Sequence, residues 1–558
     1  MNPLNMLRLW AALLLVPLPA LAGGQPADAD ECLFFSAENI VEGPGNWYCY
    51  IEFSAESYTF QKGDTLEYDI LMPSSNPLLK GGIDADLREE NLPPATSGRP
   101  WVRDAGLVDQ QGLKLHGDAI LTPAENKWYH RAFDLSSLAG CSTVRWNVVF
   151  EGDAKGRYAQ FLDNIRITRD GQTVLSLYEN GPAPAIDLRQ TDGYSRSILV
   201  TTATRAEAAN PEMLPAILKR AQEAEKLREA RQRFHSELEV AHRLAELHRD
   251  DPLYDHWRSH LGHAAALEKP DLFAGNPEAY LASLENAYQE MKYAQSLTSQ
   301  FTGHLVGHAH IDLQWLWTWD ETINKIIPDT FGQAVRFMEE FPDFTFTQSS
   351  AALYLATERY HPELFAKIKK YVAEGRWEIV GGRWCEGDMN MISPESHARH
   401  VLYAQRYFQD RFGKTCSVAF EPDTFGHTWQ MPQILKKGGM ESYYFCRGGK
   451  KHPLFWWEAP DGSKILAFEE SALGPDAWYT DAINDDKVRE LVSFTETTGA
   501  TDHLMVYGVG NHGGGPTREH IEAGLAMKDR SPWPTIRFST MTEFFKRLHA
   551  AEGKLNIP

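Results

Sequence analysis

Between about Glu31 and Val200 apolar and polar residues alternate in short runs. Leu66, Tyr68 and Ile70 face one way and their neighbours the other, and Val144, Trp146, Val148 and Phe150 repeat the pattern. A period of two belongs to half-buried strands, and turns such as Lys62-Gly63-Asp64 and Asp170-Gly171 separate the runs. The pattern predicts an all-β jelly-roll sandwich over residues 30–200.

The period then changes. From Pro211 to Arg249 the residues Leu214, Leu218, Ala221, Leu227, Phe234, Leu238, Ala241 and Leu244 recur at roughly 3.6-residue spacing, which predicts a long amphipathic helix. A second helix is expected from the Asn276-Pro277 cap to about Ser296. Pro252 and Pro270 interrupt any heptad run, so residues 205–300 read as a helical region joining the sandwich to the C-terminal part of the chain rather than as a coiled coil. Beyond Gln300, short apolar runs such as Leu305-Val306-Gly307 and Ser417-Val418-Ala419-Phe420 precede helix-like stretches. The expectation is a multi-domain chain in which residues 301–558 form an α/β barrel.

Composition narrows the partners. At 558 residues the chain is too long for one core, and a net charge of -21 without a dense Lys/Arg block argues against nucleic acid or an anionic membrane. Met1 to Gly24 carries Arg8, an apolar stretch from Leu9 to Leu21 and small residues around Ala20-Leu21-Ala22. Residues 1–22 therefore read as a cleavable secretory signal, which predicts an exported protein, periplasmic or extracellular, with no membrane anchor after cleavage. Six cysteines are compatible with export. Cys32 and Cys49 are close enough in sequence to pair across neighbouring strands, whereas Cys385 and Cys416 read as free thiols.

The candidate chemistry lies in His308-Ala-His310-Ile-Asp312-Leu-Gln-Trp315-Leu-Trp317. In a strand, residues two apart share a face, so His308, His310 and Asp312 are expected to converge as a zinc-type site. Trp315, Trp317 and Trp319 come next, flat apolar surfaces suited to stacking on a sugar ring. A His-x-His strand also opens metal-dependent amidohydrolases. A second segment, Phe420-Glu421-Pro422-Asp423-Thr424-Phe425-Gly426-His427, puts Asp423 at a strand-to-helix turn, the place from which barrel enzymes draw their active-site residues.

These two segments resemble glycoside hydrolase family 38, the zinc-dependent retaining α-mannosidases. Gly381 to Asn390 with Pro394-Glu395-Ser396, and Tyr507 to Thr517, are similar to further motifs of that family. The resemblance covers roughly residues 300 to 558 and implies a seven-stranded α/β barrel, a bound Zn2+ and a mannose-containing glycan as substrate. It implies His310, Asp312 and Asp423 as zinc ligands, Asp423 as nucleophile, and His308 as a residue orienting a ligand. Trp315, Glu386, Asp388 and Asn511 are implied to bind substrate. The segment Phe161-Leu162-Asp163-Asn164-Ile165-Arg166-Ile167 resembles the last strands of carbohydrate-binding modules, for which sugar binding and a spacer role are equal alternatives.

Two departures stand out. No carboxylate occupies the Asn511-His512 loop, so the acid/base is either His512 or a carboxylate of the Glu386-Gly387-Asp388 segment, with Asp388 the preferred alternative. The family's fourth zinc ligand has no counterpart before Pro558, so the barrel region is expected to be truncated, with His427 or His512 recruited instead, or to be a non-catalytic mannoside-binding fragment. The Gly513-Gly514-Gly515 run lacks a following Lys-Ser/Thr and suits close backbone approach to a sugar better than a phosphate loop.

Overall fold

The computed structural model describes residues 30–39, 47–74, 79–115, 126–152, 154–179, 195–449, 451–474, 477–480, 482–510 and 514–558. The signal-sequence reading over residues 1–22, and Asn511, His512 and Gly513, lie outside the described residues. The chain divides into two compact units, Met1–Gln232 with Glu268–Glu285, and Arg233–Leu267 with Asn286–Pro558.

The first unit holds β1 (Glu31–Asn39), β2 (Trp47–Ser54), β3 (Asp64–Leu71), β4 (Leu79–Leu87), β5 (Tyr129–Asp134), β6 (Thr143–Gly152), β7 (Gly156–Arg169), β8 (Gln172–Tyr178) and β9 (Ser195–Thr204). Its strands form two antiparallel sheets, one ordered β5-β3-β7-β1-β9 with β8 on β7, the other β2-β6-β4. Leu66, Tyr68 and Ile70 do alternate into the core, where they meet Trp146, Val148 and Phe150 of the opposite sheet. Val144 does not belong with them: it is 47% exposed, beside the register shift at which Leu87 pairs with Thr143. The other face of the larger sheet presents Cys32, Phe34, Phe161 and Leu199 to Ile217 and Ala221 of α1 (Leu214–Leu247).

That arrangement overturns the Cys32 to Cys49 pairing. β1 and β2 lie in different sheets, Cys32 faces the helix while Cys49 faces the sandwich core, and Cys32 is a free thiol whose Sγ donates to the Ala203 carbonyl at 3.1 Å. Cys385 and Cys416 are free, as expected.

In the second unit α2 (Tyr254–Leu267) and α3 (Pro277–Met291), the latter contributing its last turns, precede the α/β part. Its strands are β10 (Thr302–His308), β11 (Phe346–Gln348), β12 (Trp377–Ile379), β13 (Val418–Glu421), β14 (Ser442–Phe445), β15 (Leu454–Glu458), β16 (Lys464–Glu469), β17 (Asp502–Tyr507) and β18 (Thr535–Phe538). They lie in two sheets, β12-β11-β10-β17 with β18 also on β10, and β13-β14-β16-β15. Every ladder is parallel except β15 with β16. The two sheets touch where Gly381, just past β12, donates its N–H to the Val418 carbonyl of β13 at 3.0 Å.

Helices connect the parallel strands, and their ends are written in local chemistry. In α4 (Pro394–Phe412) the Ser393 hydroxyl accepts from the Ser396 N–H, Pro394 occupies the first turn, and Gly413 closes the helix at φ 66. In α5 (Asp485–Thr498) Asn484 caps the start and Gly499, at φ 72, the end. Phe331, Val335 and Met338, spaced along one helical face, join Phe346 and Trp377 in the core that backs β11 and β12. Each such side chain contributes on the order of 1.5–3 kcal/mol by leaving water. Among the described residues, no helix is long and apolar enough to cross a membrane.

Candidate functional site

The His-x-His and Glu-Pro-Asp segments meet, but not as strand alternation predicts. β10 ends at His308 because its ladders run out at Gly307 opposite Tyr507 and His308 opposite Thr347. His310 and Asp312 lie beyond it in irregular chain, where the His310 ring turns back so that Nε2 stands 3.2 Å from Asp312 Oδ1. Asp423, in the turn after β13, brings Oδ2 to 3.9 Å from the same nitrogen.

Glu386 organises this cluster. Its Oε2 lies 3.2 Å from His310 Nδ1, while its Oε1 accepts from the Asp423 N–H at 2.8 Å and the Thr424 hydroxyl at 3.0 Å. Burial works to raise the Glu386 carboxyl, but His310 and these donors hold it below the usual range. Both Glu386 oxygens are thus engaged by protein groups, Oε2 with His310 and Oε1 with Asp423 and Thr424. Burial also opposes a charge on His310, yet Glu386 and Asp312 prevail and push its imidazolium up to about 10. With Nδ1–H directed at Glu386, the Nε2 edge is left facing two carboxylates, the orientation in which histidine serves a metal.

Three carboxylates around one imidazole call for a cation. For bonds of about 2.0–2.1 Å, neighbouring ligand atoms of a tetrahedral ion lie roughly 3.3 Å apart, and the separations of 3.2 and 3.9 Å fall on either side of that value. His310, Asp312 and Asp423 carry donor types that zinc accepts, but among the described residues no group of three or more His, Cys, Asp or Glu side chains is placed to hold a metal ion, and Asp423 Oδ1 is held by Arg447, at 2.7 Å from Nε and 2.6 Å from Nη2.

Behind Glu386 lies a second buried carboxylate. Glu421 Oε1 pairs with Arg383 Nη1 at 2.7 Å, and the Thr424 hydroxyl stands 3.1 Å from Glu421 Oε2. The Thr424 hydroxyl is shared as donor between Glu386 and Glu421, and burial, against the pull of Arg383, raises the Glu421 carboxyl to about 7.

The remaining expected residues are placed differently. His308 does not orient His310: its Nε2 is 2.5 Å from the Tyr479 carbonyl, and burial drives it down to about 4. His427 is not a spare ligand, since Nδ1 meets the Tyr443 hydroxyl at 2.9 Å and Nε2 the Arg447 carbonyl at 2.8 Å. Asp388 Oδ1 accepts the N–H groups of Asn390 and Met391, both at 2.8 Å, so this oxygen caps its own turn. Gly515 packs against the end of β10, where a Cβ would meet Ala309 Cβ at 3.2 Å; its close approach is to protein. Trp315 is 57% exposed, its ring edge-on to Trp317 at 6.0 Å, and Phe425 is also exposed beside Asp423.

Sequence reasoning missed Arg447, Arg383, Thr424 and Glu421 as members of the site. Glu421 and Thr424 flank Asp423 in the motif itself, but Arg447 lies outside every motif of the resemblance.

Residues 300–557 match the family model described as the N-terminal domain of the glycosyl hydrolases family 38. This segment is similar to "Alpha-mannosidase G" of Dictyostelium discoideum, 36% identical over 279 residues that cover 49% of this chain and 25% of the relative. It is also similar to "Alpha-mannosidase 2C1" of Mus musculus, 32% identical over 264 residues that cover 46% of this chain and 25% of the relative. The chain thus spans about a quarter of the length of these relatives. Among solved structures, an alpha-mannosidase from Enterococcus faecalis V583 aligns over 46% of this chain and 30% of its own, with 22% identity and a TM-score of 0.40.

Proposed function

We propose that this protein hydrolyses α-mannosidic bonds in mannose-containing glycans by a zinc-assisted retaining double displacement. The observation that carries the reading is the setting of Asp423, with one oxygen clamped by Arg447 and the other turned to the His310 and Asp312 pair. The relatives named as alpha-mannosidases support the substrate class. In this reading His310, Asp312 and Asp423 hold Zn2+, whose positive charge, when bound, grips ring hydroxyls and favours an oxocarbenium-like sugar.

Asp423 attacks the anomeric carbon through a carboxylate oxygen, forming the glycosyl-enzyme as the bond to the leaving oxygen breaks. Arg447 holds the carboxylate aimed. Trp315 offers an exposed ring for the sugar's C–H face. The proton donor to the leaving oxygen, and later the base for water, is His512 or Asp388, whose Oδ1 alone is engaged in its turn. A seven-stranded barrel, a carbohydrate-binding-like jelly-roll sandwich, and export to the periplasm or cell exterior complete the reading.

A panel of aryl glycosides and N-acyl substrates, assayed with zinc and with a chelator, tests it. The expected result is cleavage of the α-mannoside with retained configuration, abolished by chelation. Turnover confined to amides would overturn it in favour of amidohydrolase chemistry.

A further inference from the structure

Aromatic rings and guanidinium groups also gather away from the candidate site, along one face of α4. Arg399, Tyr403 and Arg406 recur at i, i+4 and i+7 on that helix, and with Tyr407, Arg411 and Trp384 they line an open cavity of about 610 Å3. That volume lies within the roughly 300–1,000 Å3 of small-ligand sites. None of His310, Asp312, Glu386 or Asp423 lines it.

The walls are fixed before any ligand arrives. The Trp384 carbonyl accepts from the Ala352 N–H at 2.9 Å, and the Trp384 ring meets Tyr407 edge-on with centroids 6.3 Å apart. Glu358, on the helix Ala351–Tyr360, accepts from the Tyr407 hydroxyl at 3.0 Å and from Arg411 Nε at 2.6 Å. One carboxylate thus anchors a ring and a guanidinium, and leaves the Nη groups of Arg411 for another acceptor. Arg399 donates from Nε to Glu395 at 2.8 Å and from Nη1 to the Tyr403 hydroxyl at 3.1 Å.

Charge then singles out one residue. Glu395 and Glu358 balance Arg399 and Arg411, whereas the Arg406 guanidinium has no ion-pair partner among the described residues. Asp410 lines the same cavity one turn further along. Burial, together with the Arg383 charge, holds the neighbouring His400 below its usual value, so it adds a neutral ring to the lining rather than a cation.

We propose that this groove binds a sugar carrying one acidic group, a phosphate or a carboxylate. Trp384 and Tyr403 present flat surfaces to the C–H face of the pyranose. Arg406 and the Nη groups of Arg411 take the anion, whose oxygens match planar guanidinium donors. Asp410 accepts the ring hydroxyls. Arg406 is the cation that the ligand neutralises, which is why a neutral sugar or a bare anion satisfies only half of the lining.

Isothermal titration calorimetry on the full chain tests this with glucose 6-phosphate, glucuronate, glucose, inorganic phosphate and a poly-glutamate peptide. At least one acidic sugar is expected to bind about tenfold or more tightly than glucose or phosphate alone, and the tighter of the two acids identifies the anion. Arg406→Gln and Tyr403→Ala, both at exposed positions, are each expected to weaken that binding about tenfold. Neither substitution is expected to change turnover of an aryl α-mannoside, so failure here is distinct from failure of the mannosidase reading. Wild-type affinity in both variants, glucose or inorganic phosphate binding as tightly as the acidic sugars, or binding confined to the peptide overturns the proposal and leaves this face of α4 a solvated one.

Discussion

Arg447 grips Asp423 through a single carboxylate oxygen, Nε and Nη2 lying 2.7 and 2.6 Å from Oδ1. Its guanidinium also lies over the rings of Phe425 and Trp478, at 4.3 and 4.5 Å from their centroids. These ring contacts restrain the cation, so Asp423 keeps Oδ1 occupied and Oδ2 directed at His310. Arg447→Lys loses both the stack and the forked geometry. The expected outcome is a fall in kcat of roughly 10- to 100-fold on an activated aryl α-mannoside with zinc content unchanged, given the strength of charge-assisted bonds. An unchanged kcat would show that Asp423 needs no such clamp.

Asp423→Asn separates nucleophile from ligand. An amide in place of the carboxylate cannot form the glycosyl-enzyme, so the variant is expected to be inactive even at saturating zinc. If added zinc restores turnover, Asp423 serves only the metal.

Glu386→Gln addresses the orientation of His310. The amide cannot neutralise the imidazole, and its NH2 group competes with Nδ1–H as a donor. Zinc affinity is expected to weaken about 10- to 100-fold, the usual effect of losing a residue that orients a metal ligand. Competition with a chromogenic chelator measures it, and an affinity equal to that of the wild type would remove Glu386 from the site's design.

A pH dependence is built into the first unit. Asp84 is 1% exposed; its Oδ1 accepts from the N–H groups of Ala85 and Arg103 at 2.8 and 3.0 Å, while Oδ2 has only Arg103 Nε at 3.8 Å. Burial therefore raises the carboxyl to about 8 in spite of those donors. The folded form holds a proton that the unfolded chain has already released above its ordinary value near 3.8. Stability from this group is thus full below that value and is lost as pH climbs toward 8. Asp84→Asn removes the titration, so urea midpoints at about pH 5, 7 and 9 should converge relative to the wild type. Parallel curves for the two proteins would refute the raised value.

Gly508 marks where β17 passes the end of β10. Its φ is +138, and a Cβ would lie 2.2 Å from the His308 carbonyl oxygen, a backbone atom with no freedom to retreat. Gly508→Ala combines strain with overpacking and is expected to destabilise by about 3 kcal/mol or more. Thermal unfolding reports it, and a shift within error would mean that the strand ends move apart freely.

How far the chain could be read beforehand depends on the range of the forces involved. The period-two run at Leu66, Tyr68 and Ile70, the Asn276-Pro277 helix start and the placement of Asp423 between strand and helix are local, because a side chain's face or a cap is set within a few residues. The pairing of His310 and Asp312 is likewise nearly local, and the motif residues could be named from the sequence even though the strand stops short of them. Everything that depends on a partner far along the chain was decided by tertiary packing. Cys32 and Cys49 look like neighbours in sequence, but the sheets carry them to opposite faces. His308 and His427 are histidines of the right type whose ring nitrogens are consumed by the carbonyls of Tyr479 and Arg447. Glu386, Arg447 and the Glu421–Thr424 contact acquire their roles only when folding removes water and leaves each buried charge to find a partner. Residue identity thus determined the chemistry available to this protein, and the third dimension decided which of those groups meet, because desolvation and hydrogen bonding act between atoms that the sequence holds far apart.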